Sequence, residues 1–296
     1  MTLLGDAFAG NALVLIFTFF TGACVGSFLN VCIARWPAGL SVVSPPSRCP
    51  NCERGIRAHE NVPIFGWLTL RGRCAGCALP ISAQYPLVEL LVALLWLAAV
   101  LVYGPTLAAL RTAVFITILL GVAVTDAKHY LIPDGFTVFG LVWVILTAFA
   151  GLFVQGASPF AGPYDALIGA FAGAGAIAVA GWLGEVALKR EAMGFGDVTL
   201  MAVVGAALGP DRALLTIFIA AALGLVVFAG VILPFMKITQ RGAPDTIADG
   251  AVEGDAGGGA ELPRVPFGVF LAPAAVLSLL YGDAAIHWYV SRFLNT

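Results

Sequence analysis

The sequence predicts an all-α polytopic membrane protein, with about eight transmembrane helices and a small cytoplasmic zinc-binding insert between the first and second. Three observations carry this. Of 296 residues, 60% are hydrophobic and only 11% charged, and a mean hydropathy of +0.97 leaves too little polar surface for a soluble chain of this size. Apolar stretches of spanning length recur from end to end. Between the first two stand two C-x-x-C pairs, the spacing of metal-binding knuckles.

The spans are expected at roughly 11–33, 85–103, 107–126, 135–155, 164–187, 194–209, 212–236 and 265–282. The first is too long for a signal h-region and has no Lys or Arg before it, so it reads as a retained helix. The sixth is barely long enough to cross, and a re-entrant helix is the alternative. Prolines at 105, 133, 159, 163 and 210 fall between spans, where a helix break is tolerated. Gly169, Gly173 and Gly175 permit close helix approach. The Gly-Ala run around them has no strand before it, so packing explains it better than a nucleotide loop.

Asp6 precedes the first span and Arg35 follows it, which predicts an outside N-terminus. Eight crossings then leave only Arg111, Arg212 and Arg292 outside, with the other twelve of the 15 Lys and Arg inside. Those basic residues form no long stripe, so nucleic acid is not an expected partner, whereas the lipid bilayer is. Three regions are expected: a first helix at 1–33, a cytoplasmic insert at 34–84, and a membrane core at 85–296. Within the core, 237–264 is rich in Gly, Ala and acid and reads as a flexible cytoplasmic loop.

In the insert, Cys49 and Cys52 form one pair and Cys74 and Cys77 the other, with 21 residues between them. Two such knuckles give the four thiolates of a structural zinc, closed to substrate. A dithiol redox centre is the alternative, but it needs one C-x-x-C near a helix start, not two. A segment of about fifty residues builds a poor core unaided, so metal would stabilise it. Cys24 and Cys32 lie in the first span and read as small buried apolar residues.

The acids are the main functional signal. Asp126 closes one apolar run and Asp197 opens another, although a carboxylate at the centre of a spanning helix costs roughly 2.5–3.5 kcal/mol on insertion scales. Under the topology above both fall at the cytoplasmic face. Asp197 also fits a first-turn acid favoured by the helix dipole, and Asp134, after Ile132-Pro133, fits a helix N-cap. Asp126 ends its helix, where the dipole disfavours it. Facing each other, Asp126 and Asp197 would share a proton, the arrangement by which an aspartic protease activates water. Gly194 and Gly196 would let an extended peptide approach Asp197.

Gly194-Phe195-Gly196-Asp197 resembles the G-x-G-D motif of intramembrane aspartyl proteases. With Thr125-Asp126 and Leu131-Ile132-Pro133-Asp134, the chain is similar to the prepilin peptidases. Gly26-Ser27-Phe28-Leu29-Asn30-Val31, Glu60-Asn61-Val62-Pro63, Tyr85-Pro86-Leu87-Val88-Glu89 and Pro266-Phe267-Gly268 extend the likeness across nearly the whole chain. It departs at Gln84 and Val269, where Arg and Pro are common. The resemblance implies cleavage of the leader of type IV prepilins or type II secretion pseudopilins, at the cytoplasmic face of the bacterial inner membrane. It implies Asp126 and Asp197 as catalytic residues, with Gly194, Gly196, Asp134, Pro266, Phe267 and Gly268 shaping the site or meeting substrate. It further implies N-methylation of the new N-terminus with S-adenosylmethionine, tied to the cysteine-bearing region. Two other classes compete: an ion-coupled transporter with Asp126 and Asp197 as ion sites, and a non-catalytic assembly scaffold. The zinc insert and the absence of repeat symmetry weigh against the transporter.

Overall fold

The computed structural model describes residues 2–154, 158–189, 193–232 and 266–293, with the side chains of 2–10, 188, 231 and 232 left out of that description. The loop expected at 237–264 lies outside the described residues. The helices are α1 (Thr2–Arg35), a short α2 (Phe65–Thr69), α3 (Gln84–Tyr103), α4 (Leu107–His129), α5 (Asp134–Ala150), α6 (Pro163–Leu188), α7 (Phe195–Leu208), α8 (Pro210–Val227) and α9 (Gly268–Phe293). Six (α1, α3, α4, α6, α8 and α9) are long and apolar enough to cross a membrane, and α5 and α7 are shorter apolar helices. Each of the eight expected spans thus has a helix among the described residues, and the chain is a helical polytopic membrane protein. The described residues form no β-strand, only two isolated bridges in the insert.

Local chemistry sets the helix ends. The Thr106 hydroxyl accepts from the Ala109 amide at 3.4 Å and opens α4. Tyr130, left-handed at φ 52, closes it with its amide on the Asp126 carbonyl. Gly209 at φ 85 turns α7 into α8, and Pro210 occupies the first position of the new helix. The last helix runs to Phe293, well past the expected end at 282. Asp283 lowers the hydropathy there, but its carboxylate meets Arg212 Nη1 at 3.4 Å and the helix continues.

The helices pack on small residues. Gly22 of α1 lies against Ala93 and Trp96 of α3, and Gly26 lies against Glu89. Gly169 and Gly173 of α6 meet the Gly205 and Met201 backbone of α7, whereas Gly175 faces open space. A Cβ at Gly205 would run into the Gly169 carbonyl. Both α5 and α9 pack on α4 and also on α7.

Although α7 has only 14 residues, about 21 Å of helix against a hydrocarbon core of about 30 Å, its ends lie at opposite ends of the bundle. Gly196 touches Ile132, just beyond α4. The Ala207 carbonyl accepts from the Ala161 amide, and the Ala161 carbonyl accepts from Arg111 near the start of α4. The segment is therefore not re-entrant within the bundle. Its length is tolerated because it is buried on nearly every face, from Leu200 to Leu208, and does not meet lipid on its own.

Candidate active site and metal centre

Asp126 is in the last turn of α4 and Asp197 in the first turn of α7, and both are buried, at 5% and 9% exposure. They are far apart in sequence and linked through Ile132. That side chain sits 2.9 Å from where a Cβ on Gly196 would lie, and 3.0 Å from where one on Gly268 would lie. A Cβ on Gly268 would also come 2.8 Å from Asp126 Oδ2. The Val269 amide donates to that same Oδ2 at 3.2 Å. The N-terminus of α9 therefore holds the Asp126 carboxylate with a backbone donor, and only glycine at 268 leaves it room. Asp197 follows Gly196, the glycine that packs on Ile132. Its own amide bonds the Gly194 carbonyl at 3.1 Å.

The remaining site residues divide. Gly194 is the N-cap of α7 in extended backbone, and a Cβ there would meet nothing closer than Asp197 Oδ2 at 3.8 Å. Its neighbourhood is open, as peptide approach requires. Gly196 is closed against Ile132 and serves packing. Pro266 and Phe267 lead into Gly268 and are half-buried. Asp134 is exposed and is the first residue of α5. Pro133 holds the N-cap position, so the capping role expected of Asp134 does not occur. Asp134 instead lines a cavity of about 270 Å³ with Trp36, Ile132 and Gly135. Sequence reading missed Ile132 and Val269 as supports of the site; the glycine signal that points to them, at 196 and 268, was present.

In the insert, the Sγ atoms of Cys49, Cys52, Cys74 and Cys77 all lie within 4.8 Å of one another. Cys49 to Cys77 and Cys52 to Cys74 are each 3.9 Å. Four sulfurs around a tetrahedral zinc, with bonds of about 2.3 Å, are about 3.8 Å apart. The donor set fits the metal. The two knuckles are built alike. The Cys49 amide bonds the Arg54 carbonyl and the Glu53 amide returns to Cys49, while the Cys74 amide bonds Leu79 and the Ala78 amide returns to Cys74. Glu53 and Ala78 both take left-handed φ to allow this. The Cys77 and Gly76 amides, aimed at Cys74, bring its thiol down to about 6. The Arg54 amide favours a thiolate at Cys52 too, but the three facing thiols push its pKa up. Four sulfurs this close cannot all ionise without a cation among them.

Comparisons with known proteins identify the family. A model described as "Bacterial Peptidase A24 N-terminal domain" matches residues 20–103, and one described as "Type IV leader peptidase family" matches 113–229. A prepilin leader peptidase/N-methyltransferase of Aeromonas hydrophila is 32% identical over 294 residues, 91% of each chain. The chain belongs to the type IV leader peptidase family. Another relative of the same name, from Myxococcus xanthus, is 40% identical over 232 residues, covering 78% of this chain and 66% of that protein. A type 4 prepilin-like proteins leader peptide-processing enzyme of Escherichia coli O78:H11 is 35% identical over 240 residues, 75% of this chain and 84% of that one. No solved structure matches. In this member of the family, the first model covers the second half of α1, the cysteine insert and α3, and the second covers both acids.

Proposed function

We propose that this leader peptidase family member is an aspartic endopeptidase that cleaves the leader of type IV prepilins or type II secretion pseudopilins and then N-methylates the new N-terminus. What supports the peptidase reading is that Asp126, Ile132 and Gly268 lie together at the N-terminus of α9, while Gly196, next to Asp197, packs on the same Ile132. Of two buried carboxyls facing one substrate, one keeps its proton. The ionised partner takes a proton from water, whose oxygen attacks the scissile carbonyl. The protonated partner donates a hydrogen bond to that carbonyl oxygen as charge develops on it. The leaving amine takes a proton as the bond breaks. Backbone bonding at Oδ2 fixes the Asp126 carboxylate during these transfers, and the open side of Gly194 offers the peptide a path.

The distribution of Lys and Arg supports an outside N-terminus, which puts the Asp126 end of the bundle and the insert in the cytoplasm of a bacterial inner-membrane protein. The four cysteines would hold a structural zinc, and the methyl donor would be S-adenosylmethionine, the usual electrophile for amine methylation. Family membership gives the transporter reading no support.

The test uses full-length protein in detergent with a prepilin-like substrate, followed by mass spectrometry. Asp126→Asn and Asp197→Asn are each expected to lower cleavage by about 10³-fold or more while leaving helix content and zinc stoichiometry intact. Wild-type cleavage by either variant would remove that residue from the chemistry.

A further inference from the structure

The cavity of about 270 Å³ beside Asp134 is lined by Trp36, Leu131, Ile132, Pro133, Asp134 and Gly135. It is smaller than sites for whole small molecules, about 300–1,000 Å³, and suits a single side chain. Its lining is one aromatic ring, an aliphatic slot and one carboxylate. Ile132 and Pro133 are buried, whereas Leu131 and Asp134 are exposed, so an apolar floor lies beneath a charged mouth.

The aromatic wall is held in place. Beyond Arg35, Trp36–Ala38 form a single 3₁₀ turn that Gly39 closes at φ 67. A Cβ at Gly135 would lie 2.5 Å from the Trp36 ring, so only glycine lets the indole rest on the start of α5. The Phe136 ring meets Trp36 edge-on, with centroids 4.5 Å apart. Asp134 by contrast is uncommitted. Among the described residues its carboxylate pairs with no Lys, Arg or His, and Pro133 holds the N-cap position of α5. The α5 dipole favours an acid here, yet it explains neither the ring nor the slot beside it.

One residue ties the cavity to the chemistry. Ile132 is a wall of the cavity and also the side chain between Gly196 and Gly268, beside Asp197 and Asp126. A peptide lying across the two acids advances about 3.3–3.6 Å per extended residue, so a residue near its scissile bond reaches past Ile132. On the reading above, the cut separates a cytoplasmic leader from a membrane-bound remainder. The charge rule that orients this chain applies to its substrate too, so the flank left in the cytoplasm carries Lys and Arg.

We propose that this cavity is a specificity subsite holding a lysine or arginine side chain of the leader, just N-terminal to the scissile bond; this rests on the peptidase reading. The aliphatic stem lies along Trp36, Leu131 and Pro133, and the cationic head meets the Asp134 carboxylate. Asp134 is a recognition residue: it touches substrate away from the reacting bond and moves no proton. The pair forms when substrate binds and persists as the bond breaks, so it lowers KM and leaves kcat unchanged.

The test pairs charges on enzyme and substrate. Full-length protein in detergent is given a prepilin-like substrate with Lys or Arg before the scissile bond, and a second in which those residues are Gln. Wild type is expected to show a KM about fivefold lower for the basic leader, with similar kcat. Asp134→Asn should raise KM for the basic leader by about that factor and remove the preference. Asp134→Lys should instead favour a leader carrying Glu. Leu131→Trp, which fills the cavity but keeps the carboxylate, should also remove the preference. Equal KM for both leaders in wild type, or an Asp134→Asn loss that is the same on both, overturns the subsite and leaves the peptidase reading standing. A fall in kcat at unchanged KM would make Asp134 a support for α5, and it too overturns the subsite. A folded wild type that cuts neither substrate overturns both readings.

Discussion

The cysteine insert and the carboxylate site solve the same problem in opposite ways. Each gathers groups that repel or desolvate one another, four thiols in one case and two acids in the other. In the insert the sulfurs come from two short knuckles whose geometry is fixed within each by its own turn, with the Cys49 and Cys74 amides bonding a few residues on. At the dyad nothing local fixes the geometry. Asp126, Asp197 and Val269 come from three helices, and their meeting depends on where Gly196, Gly205 and Gly268 let those helices approach. A local site should fail alone when broken, whereas a site made by packing should fail with its helices.

Metal removal is the largest test of that contrast. Zinc contributes roughly 10–16 kcal/mol to small zinc-folded units at neutral pH. Chelation, or Cys49→Ser with Cys74→Ser, is expected to unfold residues 34–84 while α3 to α9 keep their helicity. Limited proteolysis with zinc analysis would detect this; cuts spread equally through the membrane helices would mean that insert and bundle are one cooperative unit.

Packing is the next test. Gly205→Val would drive a branched side chain into the Gly169 backbone, so α6 and α7 must separate. Overpacking of this kind costs about 1–3 kcal/mol, occasionally more. Because α7 carries Asp197, cleavage should fall together with thermal stability, and zinc content should not change. A stable Gly205→Val protein with full activity would show that α7 can shift without moving its acid.

The same contrast explains what the sequence revealed. The knuckles are a spacing pattern, so the clustering of all four cysteines was legible. The spans are composition, so each has its helix, six of them long and apolar enough to cross; α9 runs on past 282, where Asp283 lies beside Arg212. Asp126 stood out because a carboxylate closing an apolar helix is costly. Ile132 and the Val269 amide were not legible, since their roles exist only once α4, α7 and α9 are packed. The γ-turn at Ile64 was hidden for the same reason, because the Glu89 carboxylate that holds it lies 25 residues away.

Gly268→Ala isolates one such contact. Its Cβ would press on Asp126 Oδ2 from 2.8 Å, so the carboxylate must shift while the fold has room to persist. A misplacement of about 1 Å at a reacting group can cost on the order of 10²-fold. Cleavage is expected to fall by about 10–100-fold, mainly in kcat, with melting temperature and zinc content near wild type. A change confined to KM would make Gly268 a substrate contact and not a support for Asp126.

The smallest effect lies in the insert. Arg54 grips Glu60 with two hydrogen bonds, at 2.8 and 3.1 Å, and the Arg57 amide adds a third. The Arg54 side chain, followed by the Arg57 amide, holds the Glu60 carboxyl below the usual carboxylate range. A carboxyl lowered on folding contributes its stability above its unfolded pKa, about 4.3, and loses it only as pH falls through the lower folded value. Glu60→Gln should therefore weaken zinc retention by a small factor, on the order of twofold. That gap should stay flat from pH 8 to pH 5, while zinc release itself steepens on acidification as protons compete for the thiolates. Chelator competition across that range reads both. A Glu60→Gln gap that closes between pH 8 and pH 5 would mean that the carboxylate acts through the metal ligands and not through Arg54.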